Sequence, residues 1–448
     1  MENSYKMSYH IEPIRGLLND PNGLVQFNGV YYFFHQWNRF GLDHSYKEWG
    51  LFTSQDMVHW KSQGSALVPD REEDEHGIHS GTSIVHDGKL YVFYTGSNKR
   101  NGIRKSRQCV AVSEDGRIFI KQPECINTPV GFTEHHRDPK VLPGPNGWWM
   151  LVGGQREQDL TGAIALYSSR DLLHWQYERV LYDQDLDQVC ECPDLFPLDG
   201  TDILICCPQT RKPDPSGKGE IVDSYAAYVP GWFDGQDGTF FPAGPRQRFD
   251  CGFDFYSPQT FLDSKGRRIL TGWMSRMDDA QEAACPTRAL GYIHCLTLPR
   301  VLSWENGALY QRPIEEVFQL RYNARIYTAA QDSFQAERGH FELRLVRKNP
   351  AAPLSLSLRD HTIDISYQPE CQILRVTRQN WADSGVQVRE ISLPSLTELD
   401  IFSDASSAEI FVNDGAAVFS MRYFTGGENL RIDYAGLAQE ERLEYYTL

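Results

Sequence analysis

The stretch Asn28-Gly29-Val30-Tyr31-Tyr32-Phe33-Phe34-His35-Gln36 sets a tight turn pair directly before a run of aromatic and β-branched residues. Asn-Gly accepts the positive φ of a two-residue hairpin turn, and the residues after it favour a strand. The arrangement returns four times along the chain. Asp87-Gly88 precedes KLYVFYTG, Asn146-Gly147 precedes WWMLVGG, Asp199-Gly200 precedes TDILICC, and Lys265-Gly266 precedes RRILTGW. The five glycines, at 29, 88, 147, 200 and 266, are spaced by 59, 59, 53 and 66 residues. A second echo runs alongside: the segment from Ser54 to Trp60 (SQDMVHW) resembles that from Ser169 to Trp175 (SRDLLHW). A repeat of this length holding several short strands fits the four-stranded blades of a propeller. The expectation is an all-β chain whose residues 1–305 form a five-bladed β-propeller.

Beyond it, residues 306–325 read as a linker with a turn or two of helix after Pro313. The pattern then changes to clean alternation, with Leu354, Leu356 and Leu358 separated by serines and followed by Ile363 and Ile365. Further strands are expected at 386–393, 399–402, 410–412 and 418–421, with Asn413-Asp414-Gly415 as a hairpin turn. Residues 326–448 are therefore expected to form a β-sandwich with packing or accessory work.

Composition narrows the function. The 448 residues carry 60 acidic against 44 basic side chains, a net charge of −16, which repels nucleic acid and anionic membranes. The first 13 residues have no apolar core of a secretory signal, and no apolar run approaches the roughly 20 residues that cross a bilayer. Ten cysteines without a CxxC pair argue against a zinc site or a disulfide scaffold and for reduced thiols. A cytoplasmic enzyme or binding protein without metal or organic cofactor is expected, with a small molecule rather than a nucleic acid or membrane as its partner. Its oligomeric state has no signature here.

The chemistry sits just upstream of the repeat turns. Asp20 lies nine residues before Gly29, Asp138 nine before Gly147 and Glu191 nine before Gly200; Ser80 lies eight before Gly88 and Asp254 twelve before Gly266. In a radially repeated fold, equal phase means equal position in the blade, so these residues should gather at one end of the channel. Singly, each has a plain structural use: Asp in NDPNG as a turn former, RDP as an ion pair, Glu191 as a strand end. Their shared phase favours a site. Asp20 and Asp138 each precede a proline, which is expected to hold their backbone extended. Arg137 is placed to help keep a carboxylate ionised, whereas Glu191, between Cys190 and Cys192, is expected among apolar neighbours that suit a proton donor. Two ionised carboxylates and one acid are the equipment of a glycosidase.

These motifs resemble glycoside hydrolase family 32, the invertases, β-fructofuranosidases and sucrose-6-phosphate hydrolases, over nearly the whole chain. Asn19-Asp20-Pro21-Asn22-Gly23 resembles the family's nucleophile motif, Arg137-Asp138-Pro139 its second motif and Glu191-Cys192-Pro193-Asp194 its third. His79-Ser80-Gly81, the segment from Asp254 to Gln259, Gly272-Trp273-Met274, the segment from Leu296 to Arg300 and the stretch from Asp404 to Gly415 agree in order. The resemblance implies a propeller plus sandwich and retaining hydrolysis of a β-fructofuranoside such as sucrose, 1-kestose or sucrose-6-phosphate, without metal or cofactor. It gives Asp20 as nucleophile, Glu191 as acid and then base, and Asp138 as a transition-state stabiliser; a retaining geometry needs the first two carboxyls about 5–5.5 Å apart. It also implies sugar contacts at Asn19, Gln36, Trp49, Ser80, Arg137 and Trp273. His79 stands where the family usually has Phe, and the segment from Asn38 to Trp49 lacks the family's usual proline and extra tryptophan.

Other readings stay open: fructosyl transfer to a sugar acceptor, an inverting propeller glycosidase acting on arabinose or xylose polymers, and a non-catalytic carbohydrate-binding propeller. For the leaving group, the basic segment from Lys99 to Arg107 offers a phosphate site or a plain solvated loop, and the acidic run from Asp70 to Glu75 would oppose a phosphate if it bordered the mouth.

Overall fold

Nearly all regular structure is strand, paired antiparallel, as the turn-and-strand pattern predicts. The structure is a computed structural model that describes residues 4–213 and 220–448. The first three residues of the expected propeller lie outside the described residues, as do 214–219. The chain divides into two compact units, one of Ile14–Phe249 and Tyr256–Trp273, the other of Met1–Pro13, Asp250–Phe255 and Met274–Leu448.

In the first unit, strands β1 (Gly16–Phe27), β2 (Val30–Asn38), β3 (Glu48–Ser54) and β4 (Lys61–Leu67) pair in that order. So do β5 (Ile78–His86), β6 (Lys89–Arg100), β7 (Ile103–Ser113) and β8 (Ile120–Asn127). A third sheet holds β9 (Phe132–Gly144), β10 (Gly147–Arg156), β11 (Gly162–Ser169) and β12 (Trp175–Tyr182). A fourth is built from β13 (Val189–Leu198), β14 (Thr201–Pro213), β15 (Glu220–Ser224), β16 (Ala227–Asp234), β17 (Thr239–Pro242) and β18 (Gln247–Arg248). Strands β19 (Tyr256–Leu262) and β20 (Arg268–Trp273) form a hairpin. The leading strands touch in the cyclic order β1, β5, β9, β13, β19 and back to β1.

Three of the five repeat turns share one backbone, while at Asn146-Gly147 and Lys265-Gly266 only the glycine takes positive φ, 142° and 76°. Asn28 and Gly29 take φ 49° and 78°, Asp87 and Gly88 47° and 72°, and Asp199 and Gly200 48° and 88°. Positive φ at both central positions is the twist-matched hairpin turn that Asn, Asp and Gly accept. The SxDxxHW echo is a real structural repeat. Asp56 Oδ1 accepts the amides of Val58 (3.1 Å) and His59 (2.9 Å), and Asp171 Oδ1 those of Leu173 (3.0 Å) and His174 (2.8 Å). Ser113 and Asp115 build a third copy on the amides of Arg117 and Ile118, which the absence of His-Trp hides in the sequence.

The second unit contains two six-stranded sheets. One orders Tyr322–Tyr327, Leu443–Thr447, Phe341–Val346, Glu398–Asp404, Ser407–Val412 and Ala417–Arg422. The other orders Ser333–Gln335, Arg431–Ala435, Leu354–Leu358, Ile363–Gln368, Ile373–Gln379 and Val386–Ser392. Leu343, Leu345, Ile401 and Ile410 of the first share one buried core with Leu356, Leu358, Ile365 and Val376 of the second. The stretch read as a linker is more ordered than expected: Asn306-Gly307 is another positive-φ turn, closing a hairpin of Arg300–Glu305 with Ala308–Pro313. A 3₁₀ helix follows at Glu315–Leu320, where the sequence predicts helical turns.

Candidate active site

Every leading strand of the first unit loses its ladder register at the position marked by the repeat phase. The breaks fall between Leu18 and Pro21 in β1, His79 and Gly81 in β5, Arg137 and Lys140 in β9, Glu191 and Asp194 in β13, and Tyr256 and Gln259 in β19. Such bulges bend a strand and re-aim its side chains, a device common beside active sites. Proline contributes by removing a ladder donor in four of the five, as Pro21, Pro139, Pro193 and Pro258. The extended backbone expected before proline is not found at Asp138, which takes φ 70°; Cys192 and Ser257 take 47° and 49°. The bulge overrides the local preference.

Four of the five phase-marked residues come together. Ser80 Oγ donates to Asp20 Oδ2 at 2.6 Å, and Gln36 Nε2 donates to the same oxygen at 3.2 Å and to Ser80 Oγ at 2.5 Å. Asn19 Nδ2 donates to Asp20 Oδ1 (3.3 Å) and Gln36 Oε1 (2.9 Å), while Lys47 Nζ donates to Asn19 Oδ1 (2.6 Å). Asn22 closes the motif, its Nδ2 donating to the Asp20 carbonyl at 3.0 Å and its Oδ1 accepting the Gly81 amide at 3.2 Å. Burial pushes the Asp20 carboxyl up; the Ser80 hydrogen bond opposes this, the Glu191 charge adds to it, and Lys47 counters.

Asp138 is buried, its Oδ2 accepting the Cys192 amide at 3.0 Å and its own amide donating to Thr95 Oγ1 at 2.9 Å. Its carboxyl is raised, by burial first; Arg137 works against this, and the charges of Glu191 and Asp20 add to it. The three carboxylates therefore feel one another.

Glu191 is not in the apolar setting expected from Cys190 and Cys192, because strand neighbours point to opposite faces. Cys190 lies in an apolar core, whereas Glu191 Oε1 accepts Arg137 Nε (2.9 Å) and Nη2 (2.6 Å). Its Oε2 accepts Tyr256 Oη at 2.7 Å and Gln209 Nε2. Arg137 thus grips Glu191 and acts on Asp138 only through space. Burial, then the charges of Arg104, Lys47 and Arg137, hold His79 well below its ordinary pKa. Burial, then Arg137, Arg211 and Arg104, hold His135 at about 4.

Asp254 does not join the cluster. It belongs to the other unit, where its carboxylate accepts Arg378 Nη1 and the Arg422 amide (2.8 Å). Its offset of twelve is the reason: the residue nine before Gly266 is Ser257, which lies in the β19 bulge with its Oγ 2.8 Å from Cys192 Sγ. No group of three or more His, Cys, Asp or Glu among the described residues is arranged to hold a metal ion.

Two family models match end to end: the glycosyl hydrolases family 32 N-terminal domain over residues 10–313 and the family's C-terminal domain over residues 316–442. The chain belongs to glycoside hydrolase family 32. It is 36% identical over 447 residues to a sucrose-6-phosphate hydrolase of Klebsiella pneumoniae, covering 95% of this chain and 90% of that one. It is 35% identical over 452 residues to that of Bacillus subtilis, covering 98% and 92%. Among solved structures, the sucrose-6-phosphate hydrolase of Lactobacillus gasseri superposes with a TM-score of 0.89 at 29% identity, covering 100% of this chain and 94% of that one. The family 32 β-fructofuranosidase of Bombyx mori gives 0.83 at 25%, covering 100% and 95%.

Against the family's motifs, Asn19, Gln36, Ser80 and Arg137 all stand in the carboxylate cluster. Trp273 is buried at 4% exposure, edge-on to His44 (6.1 Å), whose Nδ1 lies 2.8 Å from Lys47 Nζ. Trp49 is placed differently. It is wholly buried in a core with Phe34 and Tyr94, its indole donating to the His79 carbonyl at 2.9 Å, so it braces the strand that carries Ser80. Lys47, Gln209 and Tyr256 are the residues that motif reading passed over. Tyr256 sits within a family motif, two positions after Asp254; Lys47 and Gln209 have no local signal, since only the folded register brings them to Asn19 and Glu191.

Proposed function

We propose that the enzyme removes the terminal β-D-fructofuranosyl unit of sucrose and short fructo-oligosaccharides by double displacement. The observation that carries this is the pairing of Asp20, held by Ser80, Gln36 and Asn19, with Glu191, held by Arg137, Gln209 and Tyr256. Protonated Glu191 gives its proton to the glycosidic oxygen as Asp20 attacks the anomeric carbon, forming a fructosyl ester and releasing the leaving sugar. Glu191 then takes a proton from water, which displaces Asp20. Asp138, fixed by the Cys192 amide, binds fructosyl hydroxyls and stabilises the oxocarbenium-like transition state. Asn19 and Gln36 have both amide hydrogens engaged, so they accept sugar hydroxyls through the second lone pair of each amide oxygen.

The cyclic contact of β1, β5, β9, β13 and β19, with a four-stranded repeat behind most of them, supports a five-bladed propeller over residues 1–305. The shared core of the two six-stranded sheets supports a sandwich over 326–448, with 306–325 joining the two. A cytoplasmic site of action belongs to this reading, and no helix among the described residues is long and apolar enough to cross a membrane. The sucrose-6-phosphate hydrolases among its relatives favour a second, narrower reading in which the disaccharide arrives phosphorylated. Fructose release from sucrose, 1-kestose and sucrose-6-phosphate, with Asp20→Asn as control, tests both. Release by the native enzyme that Asp20→Asn abolishes, with sugar binding retained, supports the hydrolase; no release from any substrate by folded enzyme overturns it.

A further inference from the structure

Around the β9 bulge, two backbone groups are held from the second sheet. The Asp138 amide donates to Thr95 Oγ1 at 2.9 Å, and the His136 carbonyl accepts Gln108 Nε2 at 3.1 Å. Thr95 of β6 and Gln108 of β7 are direct ladder partners, and the Thr95 hydroxyl donates to Gln108 Oε1 at 2.7 Å. The proton directions are forced. A carbonyl can only accept, so His136 turns the Gln108 NH2 toward β9 and its oxygen toward Thr95. The single Thr95 proton goes to that oxygen, which leaves the Thr95 oxygen to receive the Asp138 amide. Ser106, on the same face of β7 as Gln108, also reaches β9, but its Oγ donates to the Glu134 carbonyl at 2.8 Å, before the bulge.

This clamp grips the carbonyl before Arg137 and the amide after it. Between those two groups stands the residue whose guanidinium holds Glu191 at 2.6 Å. The second group belongs to Asp138, whose Oδ2 accepts the Cys192 amide at 3.0 Å. Asp138 takes φ 70°, a backbone that residues with side chains adopt only at a cost. Pro139 pulls the other way, toward extended geometry. The β9–β10 ladder slips between Arg137 and Lys140, so it does not hold this backbone in register. Thr95, Gln108, His136 and Asp138 are all buried, so a lost bond is not made good from bulk water. Gripping a peptide on each side of Arg137 therefore fixes two functional side chains at once.

We propose that Thr95 and Gln108 are positioning residues for the reaction: their clamp sets the backbone on both sides of Arg137, so that the Asp138 carboxylate meets the fructosyl unit and Arg137 meets Glu191. This rests on the reading of Asp138 as the carboxylate that stabilises the oxocarbenium-like transition state. Neither Thr95 nor Gln108 acts on the sugar itself. Their effect is on aim, and a small misplacement at a reacting centre costs about 100-fold in rate. Because the interaction lost is one that strengthens in the transition state, the loss belongs in kcat more than in KM.

The test measures kcat, KM and melting temperature on sucrose for the native enzyme, Thr95→Val, Thr95→Ser, Gln108→Met, Ser106→Ala and Asp138→Asn. Thr95→Val keeps the shape and loses the hydroxyl, and its kcat should fall by about 10- to 100-fold with KM changed far less. Thr95→Ser restores the hydroxyl and should recover most of the native rate. Gln108→Met should fall in the same direction as Thr95→Val, and it carries the comparison if Thr95→Val does not fold. Ser106→Ala removes a bond of the same kind to β9 and should keep the native kcat. A native kcat in folded Thr95→Val, a loss confined to KM, or an equal loss in Thr95→Ser or Ser106→Ala overturns the clamp. Asp138→Asn tells the two failures apart. If it loses activity while Thr95→Val does not, only the clamp fails; if it keeps the native kcat, the reading of Asp138 fails and the clamp with it.

Discussion

Replacing Ser80 with alanine isolates the electrostatics of the nucleophile. The Ser80 hydroxyl donates to Asp20 Oδ2 at 2.6 Å, and it is the leading influence holding down a carboxyl that burial and the Glu191 charge push up. A hydrogen bond to a charged group contributes about 1.5–3 kcal/mol, equivalent to about one to two pH units. The sign is fixed by the reaction, because Asp20 must be ionised to attack. Without Ser80 its folded pKa rises, so the acid limb of kcat/KM moves to higher pH by about one to two units, toward the lower end if Gln36 tightens from its 3.2 Å contact. The profile of kcat/KM reads groups of the free enzyme. Activity should therefore fall most in acid and recover substantially as pH rises. An acid limb that stays in place in folded Ser80→Ala, or one that moves downward, would refute the assignment of Ser80 to Asp20.

Two further outcomes follow from the packing. His10 is buried with Nδ1 3.0 Å from Asp404 and Nε2 3.0 Å from Glu409; burial disfavours its charge, but the two carboxylates outweigh this and raise its pKa to about 9. A folded pKa above the unfolded one gives stability that is full below about 6.5 and lost as pH rises to about 9, here about 3 kcal/mol. Urea unfolding at both ends of that window should show this loss in the native enzyme and much less of it in His10→Gln. Trp49→Phe should lower thermal stability by about 1–3 kcal/mol through lost packing and the unpaired His79 carbonyl. A raised KM with unchanged melting would instead return Trp49 to the sugar.

Much of this was legible because the repeat writes itself twice, in the turns and in the carboxylates. Asn-Gly and Asp-Gly turns mark hairpins by a local backbone requirement, and nine residues back from three of them lie Asp20, Asp138 and Glu191. What the sequence hides is non-local. The phase marks bulges rather than carboxylates, so its fifth member is Ser257 and not Asp254. Strand alternation, invisible in the string CEC, turns Glu191 away from its cysteine neighbours and toward Arg137, Gln209 and Tyr256. The same alternation puts Arg104 and Arg107 of one basic segment on opposite faces of β7, and Arg107 pairs with Glu73. Trp49 matches a family position and is chemically suited to stack on a sugar, yet its neighbours in space, Phe34 and Tyr94, make it core.

The central claim, that Asp20 and Glu191 act in a double displacement, is tested most directly by running the reaction in aqueous methanol and assigning the anomer of the first-formed methyl fructofuranoside by NMR. Two inversions at the anomeric carbon, with methanol replacing water in the second step, give the β-methyl fructoside. The α-anomer would mean a single displacement, and Asp20 would then not be the nucleophile.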